Sequence, residues 1–118
     1  MKYLYTFFFV TITLTSIQCK KIDVPDDTPK CIKKKIKAIQ KATVTNPPSS
    51  VWLIDFKGSH YYYIPPVCCD KFGELYSDEC VLICHPDGGI TDKGDGQCPE
   101  YVKELPEGKK IWQDNRTQ

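Results

Sequence analysis

Six cysteines between residues 31 and 98 constrain the fold of this 118-residue chain more than any other feature of its sequence. In a short exported chain, an even number of cysteines indicates a framework of disulfides. About 75 to 80 residues remain once a leader and two polar ends are set aside, which is near the limit at which a core alone stabilises a domain. We therefore predict three disulfides, formed by Cys31, Cys68, Cys69, Cys80, Cys84 and Cys98.

Sequence spacing narrows the pairing of these cysteines. A bond between the neighbours Cys68 and Cys69 would strain the intervening peptide, because disulfide geometry is narrow. Cys80 and Cys84 end a segment predicted as a strand, in which four residues separate the Cα atoms by about 13 Å, roughly twice the reach of a disulfide. If that segment were helical, the two cysteines would be close enough to bond. With both bonds excluded, about ten pairings remain.

The first residues have the layout of a secretory signal peptide. Lys2 gives a positively charged start, and residues 4–17 are apolar or hydroxylated throughout, as in a signal with an n-region and an h-region. The apolar run is about fourteen residues long, whereas a transmembrane helix needs about twenty. The run ends at Cys19, and bacterial lipoprotein signals also end at a cysteine, which becomes the lipidated first residue.

We therefore predict a signal peptide over residues 1–18, lipidation of Cys19 and a lipid-anchored tether over residues 19–29. Ser16 and Gln18 depart from the usual residues before such a cysteine. A conventional signal that is cut nearby and leaves Cys19 as a thiol is therefore the alternative. The expected location is the bacterial cell envelope, in the outer membrane, with the lipid bilayer as a partner.

The charge balance argues against a nucleic-acid partner. Lys2 is the only charged residue before Cys19, so 15 basic and 15 acidic residues remain after it. A nucleic-acid-binding domain normally has a marked basic excess.

Hydrophobic periodicity predicts one helix and a small antiparallel sheet. From residue 30 to about residue 43, Ile32, Ile36 and Ile39 recur at helical spacing and form one apolar face. Alternation and turn residues predict a hairpin, and shorter signals predict a helical turn and a third strand. The predicted segments after the helix are the strands 50–57 and 60–64, the helical turn 68–76 and the strand 81–84.

The predicted fold class is therefore α+β: a small disulfide-rich domain with one amphipathic helix packed on a short antiparallel sheet. The domain is expected over residues 30–106 and includes a long C-terminal loop region. Residues 107–118 are expected to form a loosely ordered tail.

No catalytic residue, metal or cofactor is predicted, and the chain is not expected to be an enzyme. Structural zinc sites use CxxC-like spacings, which the chain lacks. Asp87, Asp92 and Asp95 lie in a glycine-rich loop and are weak calcium candidates. Their spacing does not fit a calcium-binding loop, and such residues also dominate ordinary turns. A nucleophile pair of Cys84 and His85 is disfavoured because neighbours on a strand point to opposite faces.

Two surface features remain open to more than one interpretation. The lysines of the helix usually form only a solvated face, but a short tether would bring Lys33, Lys34, Lys37 and Lys41 to anionic head groups. Six aromatic residues can fill the core, or an exposed subset can bind a glycan or a partner protein. These aromatic residues are Trp52, Phe56, Tyr61, Tyr62, Tyr63 and Tyr76.

Three segments resemble a family of small bacteroidete-type lipoproteins that carry one cysteine-rich domain of unknown function. They are NPPSSVW (46–52), YYIPPVCCDKFGELY (62–76) and ICHPDGGITDKGDGQCPEY (83–101). The resemblance covers about residues 30–101 and implies export, a lipid anchor and a single compact domain. It implies no activity and no catalytic residue. Asp92 stands where such sequences often have glycine.

The function predicted from the sequence is that of a non-catalytic cell-envelope lipoprotein, acting as a surface binding or structural module. Its partner beyond the bilayer would be an unidentified protein or glycan. The alternative is a secreted module, similar to a protease inhibitor or a ligand-binding domain, that presents the loop 85–97. Disulfide-braced loops suit such rigid presentation.

Overall fold

The computed structural model describes residues 21–68 and 70–117, and within them it shows one α-helix and one antiparallel sheet of five strands. The strand order is β4-β3-β2-β1-β5. The elements are α1 (Lys30–Lys41), β1 (Ser50–Phe56), β2 (Ser59–Ile64), β3 (Glu74–Ser77), β4 (Leu82–Cys84), a 3-10 helix (Glu100–Glu104) and β5 (Lys109–Gln113). The predicted α+β class is confirmed. The predicted signal peptide and Cys19 lie outside the described residues.

Helix α1 covers one face of the sheet through its isoleucines. Ile32 and Ile36 are fully buried, and they pack with Val51 of β1, Tyr62 of β2 and Tyr76 of β3. One turn of helix separates the two isoleucines, so both point to the same face. Truncating either isoleucine to alanine would remove about 2–5 kcal/mol of stability.

The β1–β2 hairpin determines which side chains point away from the helix. Its turn residues Lys57 and Gly58 have φ angles of 49° and 80°, and a type I′ turn requires two consecutive positive φ angles. The resulting register pairs Trp52 with Tyr63. Because strand side chains alternate between the two faces, both rings point away from α1.

Two disulfides connect the elements. Cys31–Cys80 joins the first turn of α1 to the β3–β4 turn. Cys84–Cys98 joins the end of β4 to the segment before the 3-10 helix. Cys80 and Cys84 do not bond to each other, as predicted, because the strand between them keeps them apart.

The predicted disulfide of Cys68 is not found among the described residues. Cys68 is exposed and has no disulfide partner among the described residues. It lies between β2 and β3, and the two bridges already use the cysteines at residues 31, 80, 84 and 98. Cys69 lies outside the described residues.

The segment before the helix is more than a tether. Ile22 and Val24 are half-buried and pack against the core between α1 and the sheet. Thr28 is buried. The domain therefore begins before residue 30, where the sequence predicted its start. The sequence did not reveal this because polar residues surround Ile22 and Val24, the two apolar residues that pack against the core.

The predicted loose tail is also wrong, because residues 109–113 form the edge strand β5 beside β1. Beyond it, Asp114 is buried and its backbone N–H donates to Ser49 O at 2.8 Å. The Arg116 guanidinium donates two hydrogen bonds to the Asp114 carboxylate. It also donates to three carbonyl oxygens at the C-terminal end of α1, those of Ile39, Gln40 and Ala42. Carbonyl groups in the last turn of a helix lack internal partners, so Arg116 caps α1.

Residues 74–76 of the predicted helical turn 68–76 belong to strand β3 instead. Glu74–Ser77 pairs with β2 over its whole length, since the alternation places Tyr76 in the helix-side core and Leu75 on the other face. Among the described residues, no helix is both long enough and apolar enough to cross a membrane.

Candidate binding site

The sheet face opposite α1 carries a cleft of about 590 Å³. Its floor consists of Trp52 and Ile54 from β1, Tyr63 from β2 and Leu75 from β3. Trp52 and Tyr63 are direct neighbours across the strand pair. The Trp52 indole N–H donates to Ser50 Oγ at 2.9 Å, which restrains the orientation of the ring. The floor therefore presents two adjacent aromatic side chains in fixed positions.

Prolines form much of the cleft wall and come from four separate segments. Pyrrolidine rings lock the backbone φ angle, so a wall built from them is already ordered and loses little freedom when a ligand binds. The apolar side chains of Val102 and Leu105 complete the wall beside the 3-10 helix. The prolines are Pro47, Pro48, Pro65, Pro66, Pro86 and Pro106.

Two half-buried polar side chains hold each other at one side of the cleft. The Tyr63 hydroxyl donates a hydrogen bond to Asp87 Oδ2. Burial and the bond to Asp87 raise the pKa of Tyr63, so the phenol stays protonated. The other carboxylate oxygen, Oδ1, is buried and has no hydrogen-bond partner among the described residues. The bond between Tyr63 and Asp87 fixes the Tyr63 ring on the floor of the cleft and Asp87 in its wall.

Gly73 is required for this arrangement. A Cβ atom at residue 73 would lie 2.0 Å from Asp87 Oδ1, well inside van der Waals contact. The Gly73 backbone N–H donates to Asp87 O at 3.1 Å. The Gly73 carbonyl accepts from His85 Nδ1 at 2.8 Å, which places the His85 proton on Nδ1. His85 therefore supports the loop instead of activating a neighbouring sulfur, since Cys84 is in a disulfide.

The loop 85–97 is braced from within. Asp95 accepts hydrogen bonds from the backbone N–H groups of His85 and Gln97. Asp92 has a φ angle of 58°, a left-handed conformation that aspartate tolerates better than most residues. The left-handed conformation at residue 92 is therefore compatible with aspartate.

The calcium candidates do not come together as a site. Asp87 bonds to Tyr63 and Asp95 bonds to loop backbone. Within residues 21–68 and 70–117, no group of three or more His, Cys, Asp or Glu side chains could hold a metal ion.

The six aromatic residues divide between three places. Tyr62 and Tyr76 belong to the core beneath α1, and Trp52 and Tyr63 line the cleft. Outside both regions, Tyr61 packs against Tyr101 with ring centroids 5.9 Å apart. Phe56 lies 4.9 Å from the Lys57 ammonium group. Only two of the six therefore remain as candidates for ligand contact in the cleft.

The four lysines predicted to contact a membrane are not equivalent. Lys34, Lys37 and Lys41 are exposed. Lys33 is half-buried and donates to Asp26 O at 3.1 Å, so it turns towards the segment before the helix. Lys30, which was not among the four, is exposed.

The chemical character of the cleft is aromatic, with carboxylates at its edge. Its polar side chains with oxygen atoms are Ser50, Tyr63, Asp87 and Glu107, and no lysine, arginine or histidine is among the described lining residues. Lys110 lies 5.6 Å from the centre of the Trp52 ring but does not line the cleft. Sequence patterns did not identify Ser50, Glu107 or the proline wall. The pairs of prolines next to β1 and β2 were the sequence feature that could have indicated the proline wall.

Comparison with known proteins identifies one family. The domain of unknown function DUF6970 matches residues 37–114, a range that includes all five strands, the whole lining of the cleft and Asp114. No curated protein and no solved structure matches the chain. The chain therefore belongs to the family defined by this domain of unknown function.

Proposed function

We propose that this protein is a non-catalytic, lipid-anchored module of a bacterial cell envelope that binds a ligand in the cleft. The observation that carries the proposal is the preformed cleft itself, with Trp52 and Tyr63 side by side on its floor. Pockets of about 300–1,000 Å³ with an apolar lining and a few polar groups are typical ligand sites. The resemblance to bacteroidete-type lipoproteins and the two disulfides favour an exported protein.

An uncharged glycan is the ligand class that fits the lining best. The apolar faces of sugar rings stack on aromatic side chains, and sugar hydroxyls donate to oxygen acceptors. Glu107 and Ser50 supply acceptors of this kind, whereas the Asp87 carboxylate is held by Tyr63 and its Oδ1 is buried. An anionic ligand would meet two carboxylates and no cationic partner from the described lining, which is unfavourable in a partly desolvated site.

Replacing Trp52 with alanine should weaken glycan binding by tenfold or more. Aromatic anchors at the centre of a binding site commonly contribute about 2 kcal/mol or more, which corresponds to roughly thirtyfold in affinity. The measurement is isothermal titration with a panel of neutral oligosaccharides that includes N-acetylglucosamine oligomers.

Tyr61→Ala is the matched control for this titration. Tyr61 lies on the same strand face as Tyr63 but packs against Tyr101 outside the cleft, so its loss should leave affinity unchanged. Equal losses from the Trp52 and Tyr61 variants would contradict the cleft as the site. Binding of basic peptides but of no oligosaccharide would contradict the glycan assignment.

Lipid anchoring predicts an acylated Cys19 in the mature protein. The apolar run that ends on this cysteine, followed at once by a polar segment, is the basis for this expectation. Intact-mass measurement of the membrane fraction should show the mass of acyl chains on a chain that begins at Cys19. Cys19→Ser should abolish that mass. A water-soluble wild-type protein without added acyl mass would rule the anchor out.

A second candidate function is presentation of the loop 85–97 to a protease or another partner. The observation in its favour is Ile90, which is 88% exposed in a loop closed by Cys84–Cys98. Assay of the protein against a protease panel separates the two functions. Saturable inhibition that Ile90→Asp removes and Trp52→Ala preserves would favour the loop over the cleft.

A further inference from the structure

Four lysines form one exposed stripe along α1. Lys30, Lys34, Lys37 and Lys41 follow one another at intervals of four, three and four residues, so they share one side of the helix. All four are exposed. At about 1.5 Å per residue, the stripe is about 17 Å long.

The charge of this stripe is not neutralised within the described part of the chain. α1 contains no acidic residue, and none of the four lysines takes part in an ion pair among the described residues. By contrast, Lys35 turns towards the sheet, and its Nζ atom lies 2.9 Å from Glu74 Oε2. Partial burial lowers the pKa of Lys35, but its hydrogen bonds and charge interactions with Glu74 and Tyr76 together raise the pKa above its ordinary value. The stripe lysines instead direct their charge into solvent.

The stripe and the cleft lie on opposite sides of the domain. α1 covers the sheet face that carries Val51, Tyr62 and Tyr76, and the cleft opens on the face that carries Trp52 and Tyr63. The segment that leads back towards residue 19 also lies on the helix side, because Ile22 and Val24 pack against that same core. The chain therefore approaches the domain from the side of the stripe.

We propose that the lysine stripe docks the domain on anionic phospholipid head groups, so that the cleft opens away from the bilayer. The stripe is a different surface from the cleft, and the docking does not depend on what the cleft binds. Each lysine near an anionic membrane surface strengthens binding by roughly fivefold at moderate ionic strength. The structure corrects the set expected from the sequence: Lys30 replaces Lys33, which points to Asp26.

The test uses residues 21–118, which contain every described helix, strand and disulfide but no anchor cysteine. Sedimentation with vesicles of phosphatidylcholine and phosphatidylglycerol should show binding that weakens as salt is added, because salt screens exposed charges. Vesicles of phosphatidylcholine alone should not bind the protein. Changing all four stripe lysines to glutamine should weaken binding by roughly tenfold or more.

The matched control removes the same charge elsewhere. The control variant changes four exposed lysines outside α1 to glutamine, namely Lys57, Lys93, Lys103 and Lys110. This change should reduce vesicle binding by no more than about twofold. Three results would overturn the proposal: no binding of the unaltered chain, equal loss in both quadruple variants, or binding to a soluble sulfated polysaccharide without binding to vesicles. The cleft titration contains no vesicles, so the failure of one proposal is distinguishable from the failure of the other.

Discussion

Replacing Cys31 and Cys80 together with serine should lower the free energy of unfolding by about 4 kcal/mol. The bridge closes a loop across a sequence separation of 49 residues, and closing a loop of this length restricts the unfolded chain by about that amount. The bridge also ties the first turn of α1 to the β3–β4 turn. Urea unfolding at equilibrium would measure the change.

The second bridge provides the control. Cys84–Cys98 spans only 14 residues, so its replacement by serines should cost about 3 kcal/mol, less than the longer loop. A loss below about 1 kcal/mol for Cys31–Cys80, or a clear reversal of the order, would contradict this account of how the bridges stabilise the domain.

Replacing Arg116 with alanine should clearly lower the free energy of unfolding. The change would leave the Asp114 carboxylate, whose side chain is 2% exposed, without its counter-charge, and a buried charge that loses its partner destabilises the folded state. It would also remove the cap from three carbonyl groups of α1. Water reaches the Arg116 side chain, which is 37% exposed, and this screening moderates the loss. Thermal and urea unfolding would measure it.

Asp114 gives this prediction a pH dependence. The hydrogen bonds from Arg116 lower the pKa of Asp114 below its ordinary value. The stability that the pair provides is therefore present above the ordinary aspartate pKa, about 4, and is lost as the pH falls through the lower folded-state value. Arg116→Ala should remove this part of the acid dependence. The acid dependence of Arg116→Lys should lie between those of the wild type and Arg116→Ala. Lysine keeps the positive charge but cannot form two parallel hydrogen bonds with the carboxylate. Identical acid-unfolding curves for the wild type and Arg116→Ala would contradict the pairing.

The elements that sequence reasoning found are those whose signal is local. α1 follows from isoleucines at helical spacing, and the β1–β2 hairpin follows from alternation on both sides of Lys57-Gly58. Each pattern lies within a few residues of chain, so no knowledge of the rest of the fold is needed to recognise it. The sequence predicted that Cys31 bonds to a cysteine elsewhere in the domain, but it did not identify the partner.

The parts that were missed depend on distant contacts. β5 has the sequence KKIWQ, with two apolar residues, and it is a strand because β1 offers it an edge. Arg116 caps a carbonyl group 76 positions earlier in the chain. The cleft gathers residues from Pro47 to Gly108, and only the folded sheet brings them together. Local sequence patterns contain none of these relations.

The position of β5 and Arg116 has a consequence for when the domain can form. Ser49 and the end of α1 are made early in synthesis, but their partners at residues 114 and 116 are made dozens of residues later. The sheet edge beside β1 and the helix end both stay incomplete until that late segment has been added. The domain therefore cannot fold completely before residues 114 and 116 have been synthesised. Under the proposed export of this protein, such a delay would keep the chain in an unfolded, transportable state until residues 114 and 116 have been made.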